Sequence, residues 1–104
     1  MVALQLDQDG HLIDYQIWTP DIARQLALSL DLELEPWHFE ILFALRNFYS
    51  EYGYAPATRP LIKYLIKTVN AEISNQLLME KFKTGLVARH LTRLAGLPKP
   101  PNCL

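Results

Sequence analysis

Cysteine is nearly absent: Cys103 is the single thiol in 104 residues. One thiol excludes an internal disulfide and a cysteine-built zinc site. No apolar run approaches the roughly 18–20 residues that a bilayer-crossing helix needs. Only four glycines are present, and they form no phosphate-cradling loop. His11, His38 and His90 lie far apart and show no metal-ligand spacing, so structural roles are expected for them, with no metal and no cofactor. Excess charge of one sign is missing too. The formal net charge is -1, which excludes a polybasic nucleic-acid binder as the plain reading. The opening run Met1-Val2-Ala3-Leu4-Gln5-Leu6-Asp7 has neither a basic flank nor a long apolar core, so no secretory signal is expected. A soluble, cytoplasmic, single-domain protein with no membrane association is the expectation.

What is present supports a folded core. Half the residues are hydrophobic and 20% are charged, enough apolar surface to offset ordering entropy. The charges are unevenly placed. Residues 1–35 hold seven acids against Arg24 alone. Residues 81–104 hold Lys81, Lys83, Arg89, Arg93 and Lys99 and no acid. That basic end reads either as a solvated helix face or as a docking surface for an acidic protein or RNA.

The pattern predicts a mainly α fold: a small bundle of about five helices, an N-terminal β-hairpin over 1–18, a helical body over 19–96 and a mobile arm over 97–104. In the hairpin, Val2, Leu4 and Leu6 alternate, Asp7-Gln8-Asp9-Gly10 supplies turn chemistry, and residues 11–17 return. Thr19-Pro20-Asp21 is a helix start, with Ile22, Ala23, Leu26, Ala27 and Leu30 on one face. Pro36 opens a second helix that Gly53 ends. Trp37, Ile41, Leu42, Leu45, Phe48, Tyr49 and Tyr52 make it the expected central core helix. Its aromatics are expected in the core, not as a base-stacking platform, because no basic residues alternate with them. Thr58 is the expected cap of a third helix, and Ser74 or Asn75 opens a fourth. A fifth runs from about Leu86 to Ala95, with Leu86, Val87, Leu91 and Leu94 buried and Gly96 as a left-handed cap.

Three prolines among Pro98-Lys99-Pro100-Pro101 favour an extended, polyproline-like arm, with a reach of roughly 20 Å from Gly96 to Cys103 at ~3.1 Å per residue. Cys103 is penultimate on that arm. It is either an incidental tail thiol or a swinging nucleophile that enters another protein's site and carries sulfur as a persulfide. That chemistry needs one accessible thiolate and no second residue of the chain. The adjacent terminal carboxylate disfavours the thiolate while Lys99 favours it, so activation is expected to come from the partner's cleft.

Two stretches resemble a known family. The tail Ala95-Gly96-Leu97-Pro98-Lys99-Pro100-Pro101-Asn102-Cys103-Leu104 is similar to the C-terminal signature of the DsrC/TusE family. Trp37, Leu45-Arg46-Asn47-Phe48-Tyr49, Glu51-Tyr52-Gly53 and Ala55-Pro56-Ala57-Thr58-Arg59 resemble its tryptophan helix and the segment that follows. The resemblance implies a sulfur-trafficking protein whose persulfide-carrying nucleophile is Cys103. DsrC proteins proper carry a second cysteine eleven positions before the last one. Here that position is Thr92. The chain therefore resembles the single-cysteine branch. By that resemblance it takes sulfur from a TusBCD-like donor complex, through the TusD subunit, and passes it to an MnmA-like tRNA 2-thiouridylase for the wobble position. It would touch tRNA at most indirectly and act as a carrier, not a free-standing enzyme. The alternatives are a DsrC-like accessory module in another sulfur pathway and a non-catalytic helical interaction domain. Arg59 matches a family arginine, for which a helix-start contact is expected.

Overall fold

The computed structural model describes residues 4–101. Among them, five α-helices form the body: α1 (Pro20–Ala27), α2 (Pro36–Tyr52), α3 (Thr58–Thr68), α4 (Asn75–Phe82) and α5 (Val87–Leu94). Short 3-10 turns lie at Tyr15–Ile17 and Leu28–Leu30.

Local chemistry sets most boundaries. The Thr19 hydroxyl accepts the Ile22 N–H, and Pro20 occupies the first turn of α1. Pro36 likewise opens α2, and Gly53 ends it at φ 79°. The Ser74 hydroxyl caps α4 by accepting the Leu77 N–H. Gly96 follows α5 at φ 74°. The expected Thr58 cap is not formed. Ala57 is the N-cap of α3, without a side-chain bond, and Thr58 is its first helical residue.

The expected β-hairpin over 1–18 is also corrected. Residues 1–3 lie outside the described region. Among the described residues there is no strand, only one antiparallel bridge between Leu6 and Leu12. The chain does reverse there. Asp7 N–H donates to His11 O at 2.8 Å, and Ile13 N–H donates to Gln5 O at 3.0 Å. One Asp7 carboxylate oxygen accepts the Asp9 and His11 amides. Desolvation opposes the charge of Asp7, yet these amide bonds hold its carboxyl below the ordinary value. The ladder then stops because the Asp14 side chain accepts the Gln16 N–H and turns Tyr15–Ile17 into a 3-10 turn.

One short helix packs against all the others. α5 has eight residues and packs against α1, α2, α3 and α4. Val87, Ala88, Leu91, Thr92 and Leu94 are buried on it. Each such leucine contributes about 1.5–3 kcal/mol by burial. Leu86, expected inside, is 47% exposed. It is the N-cap residue, with extended φ, so its side chain leaves the helix face. Tyr52, expected in the core of α2, is also exposed, being on the last residue before the Gly53 turn.

Candidate functional site

Cys103 lies outside the described residues, so the site begins with what holds the chain leading to it. The arm expected over 97–104 does not start free. Leu97 is fully buried and Pro100 is buried. The Leu97 N–H donates to Thr92 O at 3.0 Å, and the Leu97 carbonyl lies 2.9 Å from His11 Nδ1. A carbonyl only accepts, so Nδ1 carries the proton. His11 is itself wholly buried, and its Nε2 has no hydrogen-bond partner. Lys99 pairs with Asp9 at 3.6 Å. The turn at the N-terminus thus seats the base of the C-terminal arm.

Two further residues hold the same junction. Trp18 Nε1 donates to Leu94 O at 2.8 Å. Arg46 reaches across from α2, donating to Ala95 O at 2.8 Å and Tyr15 O at 2.9 Å, with its guanidinium 4.6 Å from the Trp18 ring. Cation–π stacking at that separation adds to the hydrogen bonds. The role of Arg46 was not readable from the sequence, because its partners lie 31 and 49 positions away.

Thr92 occupies the position where two-cysteine relatives of the resemblance carry their second thiol. It is fully buried, and its hydroxyl donates to Ala88 O at 2.6 Å within the same helix. The site therefore has a filled, inert residue there.

The other histidines have structural work. His38 Nδ1 accepts the Glu35 N–H, so Nε2 holds the proton and donates to Lys81 O at 2.7 Å. This ties the start of α2 to the end of α4. His90 pairs through Nδ1 with the Thr84 hydroxyl. Burial, and then the nearby Arg93, Arg89 and His11, push the His90 imidazole below its ordinary pKa. Among the described residues, no group of three or more His, Cys, Asp or Glu side chains could hold a metal ion.

Four of the five cations at the basic end also make contacts within the molecule. Arg93 donates to Leu26 O at 3.1 Å and to the Ser29 hydroxyl. Lys83 reaches Asp31 O, Lys81 stands over Trp37, and Lys99 meets Asp9. The acid-rich first third and the base-rich last third of the chain face each other. Lys81, Lys83 and Lys99 remain exposed beside these contacts.

Among the described residues no helix is long and apolar enough to cross a membrane. Comparison with known proteins gives one consistent result. The family model for DsrC-like proteins matches residues 2–104. A sulfurtransferase TusE homolog of Haemophilus influenzae is 36% identical, over 99% of this chain and 94% of its own length. The sulfurtransferase TusE of Escherichia coli K12 is 30% identical, over 97% and 93%. Among solved structures, the NMR structure of Allochromatium vinosum DsrC superposes with a TM-score of 0.84 at 36% identity, covering 97% of this chain and 90% of that one. The oxidized γ-subunit of dissimilatory sulfite reductase (DsrC) from Archaeoglobus fulgidus gives 0.80 at 36%, over 97% and 92%. With a matching tail, a matching helical body and relatives that agree over nearly its full length, the chain belongs to the DsrC/TusE family.

Proposed function

We propose that this protein is a one-thiol sulfur-relay carrier in which Cys103 is the sulfur-bearing residue. The observation that carries the reading is Thr92, buried and back-bonded in α5 where a second thiol would be needed. With Cys103 as the single cysteine, an internal disulfide cannot form. The chemistry left to the chain is exchange with other proteins. The Cys103 thiolate attacks the outer sulfur of a donor persulfide. The donor's S–S bond breaks, a new S–S bond forms on Cys103, and the donor leaves as a thiolate. The reverse geometry on an acceptor thiol unloads the sulfur. Electrons balance in each exchange, so no external oxidant and no cofactor is required.

The relatives named as TusE sulfurtransferases support a sulfur-relay pathway. In it a TusBCD-like complex loads Cys103 through its TusD subunit, and an MnmA-like 2-thiouridylase receives the sulfur for the tRNA wobble base. The test is mass spectrometry of the full chain incubated with a cysteine desulfurase, a TusBCD donor and cysteine. The wild type gains one sulfur atom that a reductant removes, and Cys103→Ser gains none. Sulfur loading by the serine variant would refute the assignment. Loading of the wild type without transfer to a 2-thiouridylase would leave the carrier and remove the tRNA branch.

A further inference from the structure

Three unpaired cations of the body lie together on α3, and at the basic end Arg89 alone among the described residues lacks a side-chain partner. Arg59, Lys63 and Lys67 follow one another at intervals of four, so they share one helix face over about 12 Å. All three are exposed, and none has a side-chain hydrogen bond or ion pair to another described residue. The helix-start contact expected of Arg59 is therefore absent.

The same face carries open aromatic surface. A groove of about 370 Å³ runs between the end of α2 and α3, lined by Phe48, Glu51, Tyr52, Lys63, Tyr64 and Lys67. Phe48 is the buried hub, with the rings of Tyr52, Tyr54 and Tyr64 at 4.6, 5.6 and 5.1 Å. Tyr52 is 51% exposed and Tyr54 48%. Phe48 anchors these rings from beneath and leaves part of each open to an incoming partner. The cations come from α3, Tyr52 from the end of α2 and Tyr54 from the turn between them, a juxtaposition created only by folding.

We infer that this α3 face is a docking surface for single-stranded RNA, with Arg59, Lys63 and Lys67 on the phosphates and Tyr52 and Tyr54 stacking on bases. Cations in a row beside exposed rings are the combination that unpaired strands use. An acidic protein would engage the cations and leave the two rings wet. Glu51, the one carboxylate in the groove, can accept from a base amino group. The inference departs from the expectation of at most indirect contact with tRNA, and rests on the tRNA branch of the proposed function only for the identity of the RNA. Binding is measured without sulfur, so the two can fail separately.

The test is fluorescence anisotropy of the full chain with a short labelled RNA strand lacking secondary structure, over a range of salt. Three phosphate contacts predict a log–log salt slope of about -2, falling to about -0.7 in Lys63→Ala/Lys67→Ala and restored in Lys63→Arg/Lys67→Arg. Tyr54→Ala should weaken binding roughly 5- to 150-fold with the slope unchanged. Lys63→Ala/Lys67→Ala should still load sulfur on Cys103. No binding by the wild type, an unchanged slope in the double alanine variant, full affinity in Tyr54→Ala, or tighter binding of a poly-glutamate peptide than of RNA would each overturn the inference.

Discussion

Trp18 and Gly96 are in such close contact that a side chain at position 96 has nowhere to go: an added Cβ would stand 2.7 Å from Trp18 Cγ and 2.9 Å from Trp18 Cβ. The backbone at Gly96 is also left-handed, at φ 74°. Gly96→Ala therefore meets both strain and overpacking, and should lose roughly 2–4 kcal/mol in urea unfolding. Gly53→Ala is the control. Its φ is 79°, but nothing lies within 4 Å of an added Cβ, so it should lose only about 1–2 kcal/mol. Equal losses at the two positions would mean that the Trp18 contact contributes nothing.

His11→Leu removes the donor to the Leu97 carbonyl while keeping an apolar side chain in a buried place. A buried acceptor left without its donor costs about 1–3 kcal/mol. The loss should also loosen the arm base, so the Leu97 amide, which donates to Thr92 O at 3.0 Å, should exchange with deuterium faster than in the wild type. An unchanged exchange rate would show that the imidazole does not secure this segment.

Thr92→Cys in a Cys103→Ser background tests the inert position. The new thiol should be protected from maleimide in the folded protein, because residue 92 is fully buried, and should react fully in denaturant. Stability should change by less than about 1.5 kcal/mol, since the two side chains are similar in size. Rapid labelling of the folded variant would contradict the packing of α5.

The depressed His90 imidazole gives stability a pH dependence of definite sign. Burial, then Arg93, Arg89 and His11, disfavour its charged form in the fold, while the unfolded chain takes the proton near the ordinary value of 6.5. The unfolded state binds more protons between the two pKa values, so stability rises with pH across that window. The contribution is complete above pH 6.5 and is lost as pH falls through 6.5 toward the folded-state pKa. Urea midpoints measured between pH 7.5 and 5.5, values of roughly ordinary working range, should fall more steeply for the wild type than for His90→Gln. Parallel slopes would remove His90 as the source.

Helix boundaries were legible wherever one residue's own chemistry sets them. Thr19, Pro20, Pro36, Gly53, Ser74 and Gly96 act within a few positions of themselves, and each acts as the sequence suggests. The hairpin was not legible, because alternation at Val2, Leu4 and Leu6 says nothing of the Asp14 cap that diverts the returning chain. The tail misled in another way. Prolines forbid a helix without forbidding burial, and Leu97 and Pro100 are inside. The basic end read as free charge because its partners, Leu26, Ser29, Asp31 and Asp9, are more than fifty positions away. Tyr52 comes to line one groove with Lys63 through the turn between α2 and α3, which periodicity within one helix cannot show. The proposal for Cys103 rests on its rarity, its proline neighbours and the resemblance of the tail, since the residue lies outside the described region.

For a carrier that delivers sulfur on Cys103, as proposed, the seating of the chain through Pro100 changes what delivery requires. The three residues from Pro101 to Cys103 can span at most about 11 Å. A lever that short cannot probe a deep active site while its fulcrum stays fixed. Either the acceptor offers a shallow cleft and presses against the turn around Asp9 and His11, or docking pries Leu97 out of the core. The second route would set the handover rate by the energy of uprooting one leucine and its hydrogen bonds, before any sulfur chemistry begins.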